Sequence, residues 1–462
     1  KATLGRMYEY NGKKFYILPD NWKDAAYRHG FRQEYNVNIS GGDSKISYYS
    51  SIGYLKEKGV LENSGYERFT ARLKADYQAT DWLHLLANAS YVHADRESNP
   101  NLSNTNSNAS NLGYFTQYIS PIYPIYVRTI DANGNPVIAT DRFGHPQYDF
   151  GVPATNFQGL NGRPFSQTGN PLGSNRYNKV NDILDQLQGQ LNFDITFTPW
   201  LKFNSTNSIT LILSRFSHYE NPFIGNAAAT NGSIDKYTDV SYRWNYVQTL
   251  NAHKVFGLHD VQLMVGHEWY KMNYNFLEAL ARGGFSPAIQ EINAFADRYN
   301  SYSYQRNYNV EGYFANFLYN FDQKYFAQAS YRRDASSRFA KKNRWGDFWS
   351  IGGAWIISKE KFFQNLNTKW IDNLKLKASI GQQGNDGIPN FNYIDMYTLV
   401  RGGQSMLPSF SGIGNPKITW ETTTNFNLGL EFNLFQNRLN GEFNFYNKKT
   451  TDMLFWLSVP ES

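Results

Sequence analysis

The chain of 462 residues has no cysteine, which excludes disulfide scaffolds, thiolate metal sites and cysteine nucleophiles. Charged residues make up only 18% of it. No uncharged apolar run approaches the roughly 18 to 20 residues that a membrane helix needs, so a helical membrane bundle is excluded. Positive charge is in small excess, 45 Lys and Arg against 39 Asp and Glu, and the excess is scattered. No basic block forms a nucleic-acid arm. No signal peptide stands at Lys1, which decides nothing for a chain that export would have trimmed. Aromatics, in contrast, are abundant: 34 Tyr, 33 Phe and 11 Trp, or 17% of the chain. Such a composition is too aromatic for a disordered polymer.

Strict alternation over long segments indicates β-strands. In 68–77, Phe69, Ala71, Leu73, Ala75 and Tyr77 share one face, opposite Arg68, Thr70, Arg72, Lys74 and Asp76. In 186–198, Leu187, Leu191, Phe193, Ile195 and Phe197 alternate with Gln, Asn, Asp and Thr. The pattern returns at 83–91, 374–380, 426–432 and 439–445. These segments run to about 10 residues or more, and about 9 to 11 tilted residues cross a bilayer. One apolar and one polar face at that length favour an all-β transmembrane antiparallel barrel with lipid outside and water or a plug inside.

Connection lengths support the same architecture. Tight turns fall at 41–45, 79–82, 198–200, 256–260, 322–324 and 435–438. Longer connections lie between them at 55–65, 95–182, 214–237, 276–305, 335–346 and 382–422. Residues 358–373 break the alternation, being of medium length where a short turn is due. Segregation of short turns to one end is the habit of outer-membrane barrels, whose long loops are extracellular. Thr80-Asp81-Trp82-Leu83 and Thr198-Pro199-Trp200-Leu201 each set a Trp beside a short turn, where an interfacial residue sits. The long stretch 95–182 is expected to fold as a cap, with a hairpin turning at 131–135.

Several motifs suggest chemistry and fail on inspection. Asp131-x-Asn133-x-Asn135 has the beginning of a calcium loop, but Pro136 replaces the glycine and Arg142 the bidentate glutamate. A turn is the better reading, and calcium would need ligands from elsewhere. His253, His259 and His267 lack ligand spacing. The series Gly381, Gly384, Gly387 precedes no helix pattern and is not a dinucleotide fingerprint. Asp334, Ser336, Ser337 and Arg338 have no histidine nearby in sequence to form a nucleophilic cluster, so no catalytic residue is assigned. Candidate ligand contacts lie in the long loops: Tyr114, Gln117, Arg163, Tyr177, Trp345, Asn390, Asn392 and Tyr393. Aromatic rings can stack on sugars or peptide side chains, and amides and Arg bind hydroxyls and carbonyls. The alternative is that they pack the loops on themselves.

Several distinctive blocks follow one another along the chain. Residues 35–72 read YNVNISGGDSKISYYSSIGYLKEKGVLENSGYERFTAR, and residues 259–270 read HDVQLMVGHEWY. Residues 331–363, YRRDASSRFAKKNRWGDFWSIGGAWIISKEKFF, carry Arg332-x-Asp334-x-Ser336-Ser337-Arg338-Phe339 and the Asn-Arg-Trp that follows. LKLKASIGQQGN, Pro416 to Glu421, LFQNRL and FYNKKTTDML continue the series. Together, and in this order, these blocks resemble the SusC/RagA-like TonB-dependent transporters. The resemblance implies a barrel of about 22 strands, consistent with a plugged lumen. Fourteen or fifteen strands are visible here, so the chain is expected to be the middle of a longer protein lacking the N-terminal plug, TonB box and last strands. Residues 1–34 are expected to be an extracellular loop region entering a partial barrel over 35–462.

By resemblance, the function expected is TonB-dependent import of oligosaccharides or oligopeptides across the outer membrane of a Gram-negative bacterium. The partners implied are a SusD-like lipoprotein lid, TonB and outer-membrane lipid, in a dimer of transporter–lid pairs, with no cofactor. Two other classes are weaker: a barrel enzyme, for which no constellation is found, and a soluble β-rich adhesin or binding module.

Overall fold

The computed structural model describes residues 6–10, 13–17, 20–98, 111–119, 123–140, 144–150, 169–223, 226–366, 368, 370–402 and 405–455. Its main feature is one sheet of fourteen strands. Those strands are β3 (Phe31–Gly42), β4 (Ile46–Lys58), β5 (Gly65–Thr80), β6 (Leu83–Ser98), β9 (Lys179–Thr198), β10 (Leu201–Glu220) and β11 (Ser233–Phe256), then β12 (His259–Gly284), β13 (Phe295–Phe321), β14 (Tyr325–Ser336), β15 (Trp345–Ile356), β16 (Ile371–Asn385), β19 (Glu421–Leu434) and β20 (Leu439–Thr451). Each pairs antiparallel with its neighbour in that order. The short pieces β1 (Arg6–Tyr10), β2 (Lys13–Ile17), β7 (Arg128–Ile130) and β8 (Pro136–Ile138) form a second sheet, and β17 (Met396–Gly402) pairs with β18 (Ser405–Gly412).

Because the side-chain period is two, register decides which residues share a face. Ile52, Ala71, Tyr91, Leu187 and Leu211 face one another across five strands, as do Leu263, Phe317, Ala329, Ile351, Ile380 and Phe426 across six. The row Lys74, Asn88, Gln190, Ser208 and Asn245 runs on the other face. Apolar residues on the first face are open: Val37 is 66% exposed, Leu73 61% and Phe443 71%. In water such a surface would be unstable; against acyl chains it is the expected outer wall.

Connections of two to four residues join β3–β4, β5–β6, β9–β10, β11–β12, β13–β14 and β19–β20 at one end. Asp322 and Gln323 both adopt φ of 51°, as do Phe435, Gln436 and Asn437 near 60°, the left-handed geometry of tight hairpins. Trp82 and Trp200 lie at this end. The medium connection there holds a 3₁₀ turn, Ile357–Lys359, and helix α4 (Lys361–Gln364). Of two expected loops, 214–237 is half strand and 276–305 is mostly strand. β10 continues to Glu220, β11 starts at Ser233, β12 reaches Gly284 and β13 starts at Phe295. A strand above a membrane can be solvated on both faces, so its sequence loses the apolar face that marks it.

The described residues of 111–178 fold with those of 6–30. Helices α1 (Trp22–Ala26), α2 (Leu112–Tyr118) and α3 (Pro171–Tyr177) are short, and Asn21, Asn111 and Asn170 accept N–H bonds at their starts. Pro171 at the first turn of α3 has no N–H to leave unpaired. Trp22, Leu61, Leu112, Phe115, Ile119, Ile125 and Leu172 make their core. The Trp22 indole donates to the Tyr123 carbonyl at 2.8 Å. Asp20 receives Arg128 through both oxygens, at 2.6 and 3.1 Å, and the Ile125 N–H at 2.7 Å. Turn 131–135 is the hairpin expected, with the Asp131 carboxylate accepting the N–H groups of Asn133 and Asn135. Arg28 holds the carbonyls of Gly59 and Ser64, and Asn175 that of Glu62, so this cap is seated on the β4–β5 connection.

Candidate functional site

The long-loop end of the polar face is the natural place to look for ligand chemistry. The apolar face changes character at Asp185, which takes Arg215 at 2.6 Å, Tyr91 at 2.6 Å and His93 at 2.8 Å. Across the sheet, Tyr331 donates to Asp347 at 2.5 Å and Arg333 stacks over Trp345 at 5.3 Å. This belt of charge and aromatic rings marks the border of the apolar band. Asp185 is level with Leu213 and Val240. Residues 233–239 therefore stand beyond it, in the extension of β10 to β13.

On the polar face of that extension runs a ladder of rings. Phe216 and Tyr237 stack at 4.6 Å, Tyr237 and Phe276 lie 5.5 Å apart, and Phe276 and Tyr304 stack at 5.1 Å. The Arg306 guanidinium lies over the Tyr304 ring at 4.6 Å. The ring faces are spent on one another, so the wall presents ring edges and phenol groups. Asp235 lies in the same region, and its carboxyl is pushed up to about 6 by burial, then by the charge of Glu278. His218 lies directly across the β10–β11 ladder from Asp235 and is held below the usual imidazole range by burial.

Lower on the polar face, side chains tie strands together. His84 bridges Asp76 at 2.8 Å and Asp194 at 3.0 Å, Asn204 donates to Asp194 at 2.7 Å, and Asn251 donates to Asn204 at 2.7 Å. Between β12 and β20 this face carries a recess of about 860 Å³. Gln262, Asn320, Gln328, Ser379, Asn427 and Asn444 supply amides and a hydroxyl to its wall. Gly352 and Gly429 place no side chain in it. Hydroxyls and peptide groups of a passing solute can exchange hydrogen bonds with such a lining.

The loop residues expected to touch ligand are distributed among three places. Tyr114 and Gln117 lie on α2, Tyr114 tilted against Tyr118 at 4.5 Å and Gln117 exposed. Tyr177 ends α3, edge-on to Tyr148 at 5.9 Å. Asn390, Asn392 and Tyr393 lie in the 386–420 connection: Asn390 donates to the Asn307 carbonyl at 2.9 Å, the Asn392 carbonyl accepts from Asn415, and Tyr393 adjoins Phe391. Trp345 belongs to the belt on the apolar side, beneath Arg333. Arg163 lies outside the described residues. The three histidines take separate partners: His253 pairs with Asp260, His259 with Tyr319 and His267 with Glu311. Asp334 receives Arg332, which also reaches Glu268 at 2.7 Å. Phe216, Tyr237, Phe276 and Tyr304 were not among the sequence candidates. The alternations Tyr270, Met272, Tyr274, Phe276 and Tyr302, Tyr304, Arg306, Tyr308 were the available signal.

The chain has relatives of known class. It is 26% identical to the TonB-dependent receptor SusC of Bacteroides thetaiotaomicron, over 95% of this chain and 43% of that protein. It is 26% identical to the TonB-dependent receptor P26 of Formosa agariphila, over 92% of this chain and 40% of that protein. It thus spans about two-fifths of the length of these relatives. Among solved structures, the RagAB peptide transporter superposes with a TM-score of 0.74 at 24% identity, covering 96% of this chain and 47% of that one. That likeness establishes the fold. Residues 126–462 match the family model of the TonB dependent receptor-like β-barrel. With its fourteen-stranded antiparallel sheet, the chain belongs to the TonB-dependent receptor β-barrel family.

Proposed function

We propose that this chain is part of the wall of a SusC/RagA-type importer in the outer membrane of a Gram-negative bacterium. It takes up oligosaccharides or oligopeptides with energy delivered through TonB. The observation that carries the reading is the two-faced sheet with its long loops gathered at one end. An apolar exterior suits lipid, a polar interior suits a hydrated solute, and the folded loops suit capture outside the cell. The described residues of 6–30 and 111–178 then form an extracellular cap. An unpaired strand edge cannot face lipid, so β3 and β20 meet further strands of a longer protein, which also supplies the plug. A SusD-like lipoprotein closes over the mouth, and transporter–lid pairs assemble as dimers. Binding works through a difference in affinity between open and closed states. The family membership fits a transporter, and no covalent step is assigned.

The test is uptake in the source bacterium of labelled dextrin and casein-peptide mixtures, each assayed separately. The full-length protein should support uptake of one mixture, and deletion of tonB should abolish it. Detergent extraction should bring down a surface lipoprotein. Uptake of neither mixture, with no lipoprotein bound, refutes the proposal.

A further inference from the structure

The 386–420 connection is built as a pedestal with an arm. Its first foot, Ile388, and its second, Ile418 and Trp420, pack with Phe339 and Phe348, and Phe339 is fully buried. The Trp420 indole donates to the Arg344 carbonyl at 2.9 Å, and Asn343 donates to that of Pro416 at 3.0 Å. Above the feet, the Asn415 N–H meets the Asn392 carbonyl and the Gly414 N–H meets Asp395, both at 2.9 Å. That neck carries the β17–β18 hairpin, where Tyr397, Leu399, Met406 and Phe410 are all more than half exposed.

Beside the bond from Asn390 to the Asn307 carbonyl, a second residue ties the first foot to the ligand-facing wall. Asp386 accepts Tyr308 at 2.8 Å and the buried Ser336 hydroxyl at 2.6 Å through the same carboxylate oxygen. Arg338 donates to its backbone carbonyl at 3.0 Å while its guanidinium lies 4.1 Å over the Tyr308 ring. Tyr308 stands on the polar face of β13, opposite Met272, with its ring edge-on to Tyr270 at 6.0 Å. Burial, and then the charge of Asp386, raise its phenol far above the usual range, so it remains a donor. Residues 302, 304 and 306 of the same strand end the aromatic ladder.

We infer that Asp386 is a positioning residue that fixes the arm to wall strand β13 through Tyr308, so that arm and wall move as one body during capture. The link to capture rests on the import reading; the mechanical link does not. Both are testable in the full-length protein. A spin label at Leu399 and another at the Asp81 turn report the arm-to-barrel distance in detergent without ligand. Wild type should give one narrow distribution. Losing a hydrogen bond to a charged group should shift the released population about ten- to hundredfold. Y308F and D386N should therefore each broaden the distribution, the double variant should add little, and D386E should restore it. Y308F keeps the ring in place, so its effect does not depend on D386N folding well. In uptake, D386N should raise the half-saturating concentration about tenfold, within twofold of the wild-type maximal rate, and D386E should recover it. Wild-type distances in Y308F, or additive broadening in the double variant, overturn the mechanical link. Broadening without any change in half-saturation overturns its role in capture. If wild type itself imports neither mixture, the import reading fails while the distance data still judge the link.

Discussion

Replacing Asp20 with Ala should open the cap and leave the great sheet alone. Asp20 and Arg128 are 15% and 12% exposed, and the carboxylate takes three donors: two from Arg128 and the Ile125 N–H. Removing one member of a largely buried ion pair leaves its partner charged and unpaired, which costs about 3–5 kcal/mol. At 1.4 kcal/mol per decade this is roughly two to three and a half orders of magnitude in the opening equilibrium. Hydrogen exchange reads that quantity directly where reclosing is fast relative to exchange. In the full-length protein, D20A should speed exchange in peptides from 111–119, 123–140 and 169–178 by about a hundredfold or more. Peptides from β9 and β10 should not change, because their ladder bonds do not involve the cap. D20N with R128M removes both charges and should recover most of the loss. Unchanged exchange in 123–140 would refute the assignment of Asp20 as the cap's central tie. Equal acceleration in β9 and β10 would refute the independence of cap and sheet.

Three further outcomes test the rest of the structure. L191R puts a charge on the apolar face and should destabilise the barrel in liposomes by about 2–4 kcal/mol near the bilayer midplane; Q190R, one residue away on the polar face, should be close to neutral, and equal effects in urea titrations would reverse the faces. Asp235, with its carboxyl at about 6 against about 3.9 in an unfolded chain, favours folding most when neutral. The β10–β13 extension should therefore be most protected from exchange below about pH 4 and lose protection towards pH 6. D235N should flatten that profile and raise protection at pH 8, and an unchanged profile would contradict the burial of this group. Y237A interrupts two ring contacts and should loosen the extension by about 1–3 kcal/mol, read as faster exchange in 216–220 and 233–239.

The membrane-crossing part of the fold was legible because lipid imposes a rule on sequence. Phe69, Leu73, Leu187 and Leu191 must be apolar while Lys74 and Gln190 need not be. Above the bilayer that rule lapses. The start of β11, through Asp235 and Tyr237, has no uniformly apolar side, and it falls in the expected loop 214–237. The cap was harder still, since Trp22 finds its acceptor at Tyr123, some hundred residues on. The ring ladder needs the register of four strands before any of its members can be matched. Loop candidates such as Asn390 and Tyr114 were recognisable by type, but their partners at Asn307 and Tyr118 follow from geometry alone.

The order of the strands has a kinetic consequence. Every strand of the great sheet pairs with its sequence neighbour, the longest detours being those between β6 and β9 and between β16 and β19. Closing a loop costs entropy that grows only slowly with length. The sheet can therefore grow hairpin by hairpin, and its growing margin at every stage is a fresh strand with open hydrogen-bonding groups. Until β3 and β20 find their neighbours, those margins are adhesive. If the proposed importer supplies further strands, separately made ones should therefore anneal to these margins, so that the barrel could be assembled from split fragments.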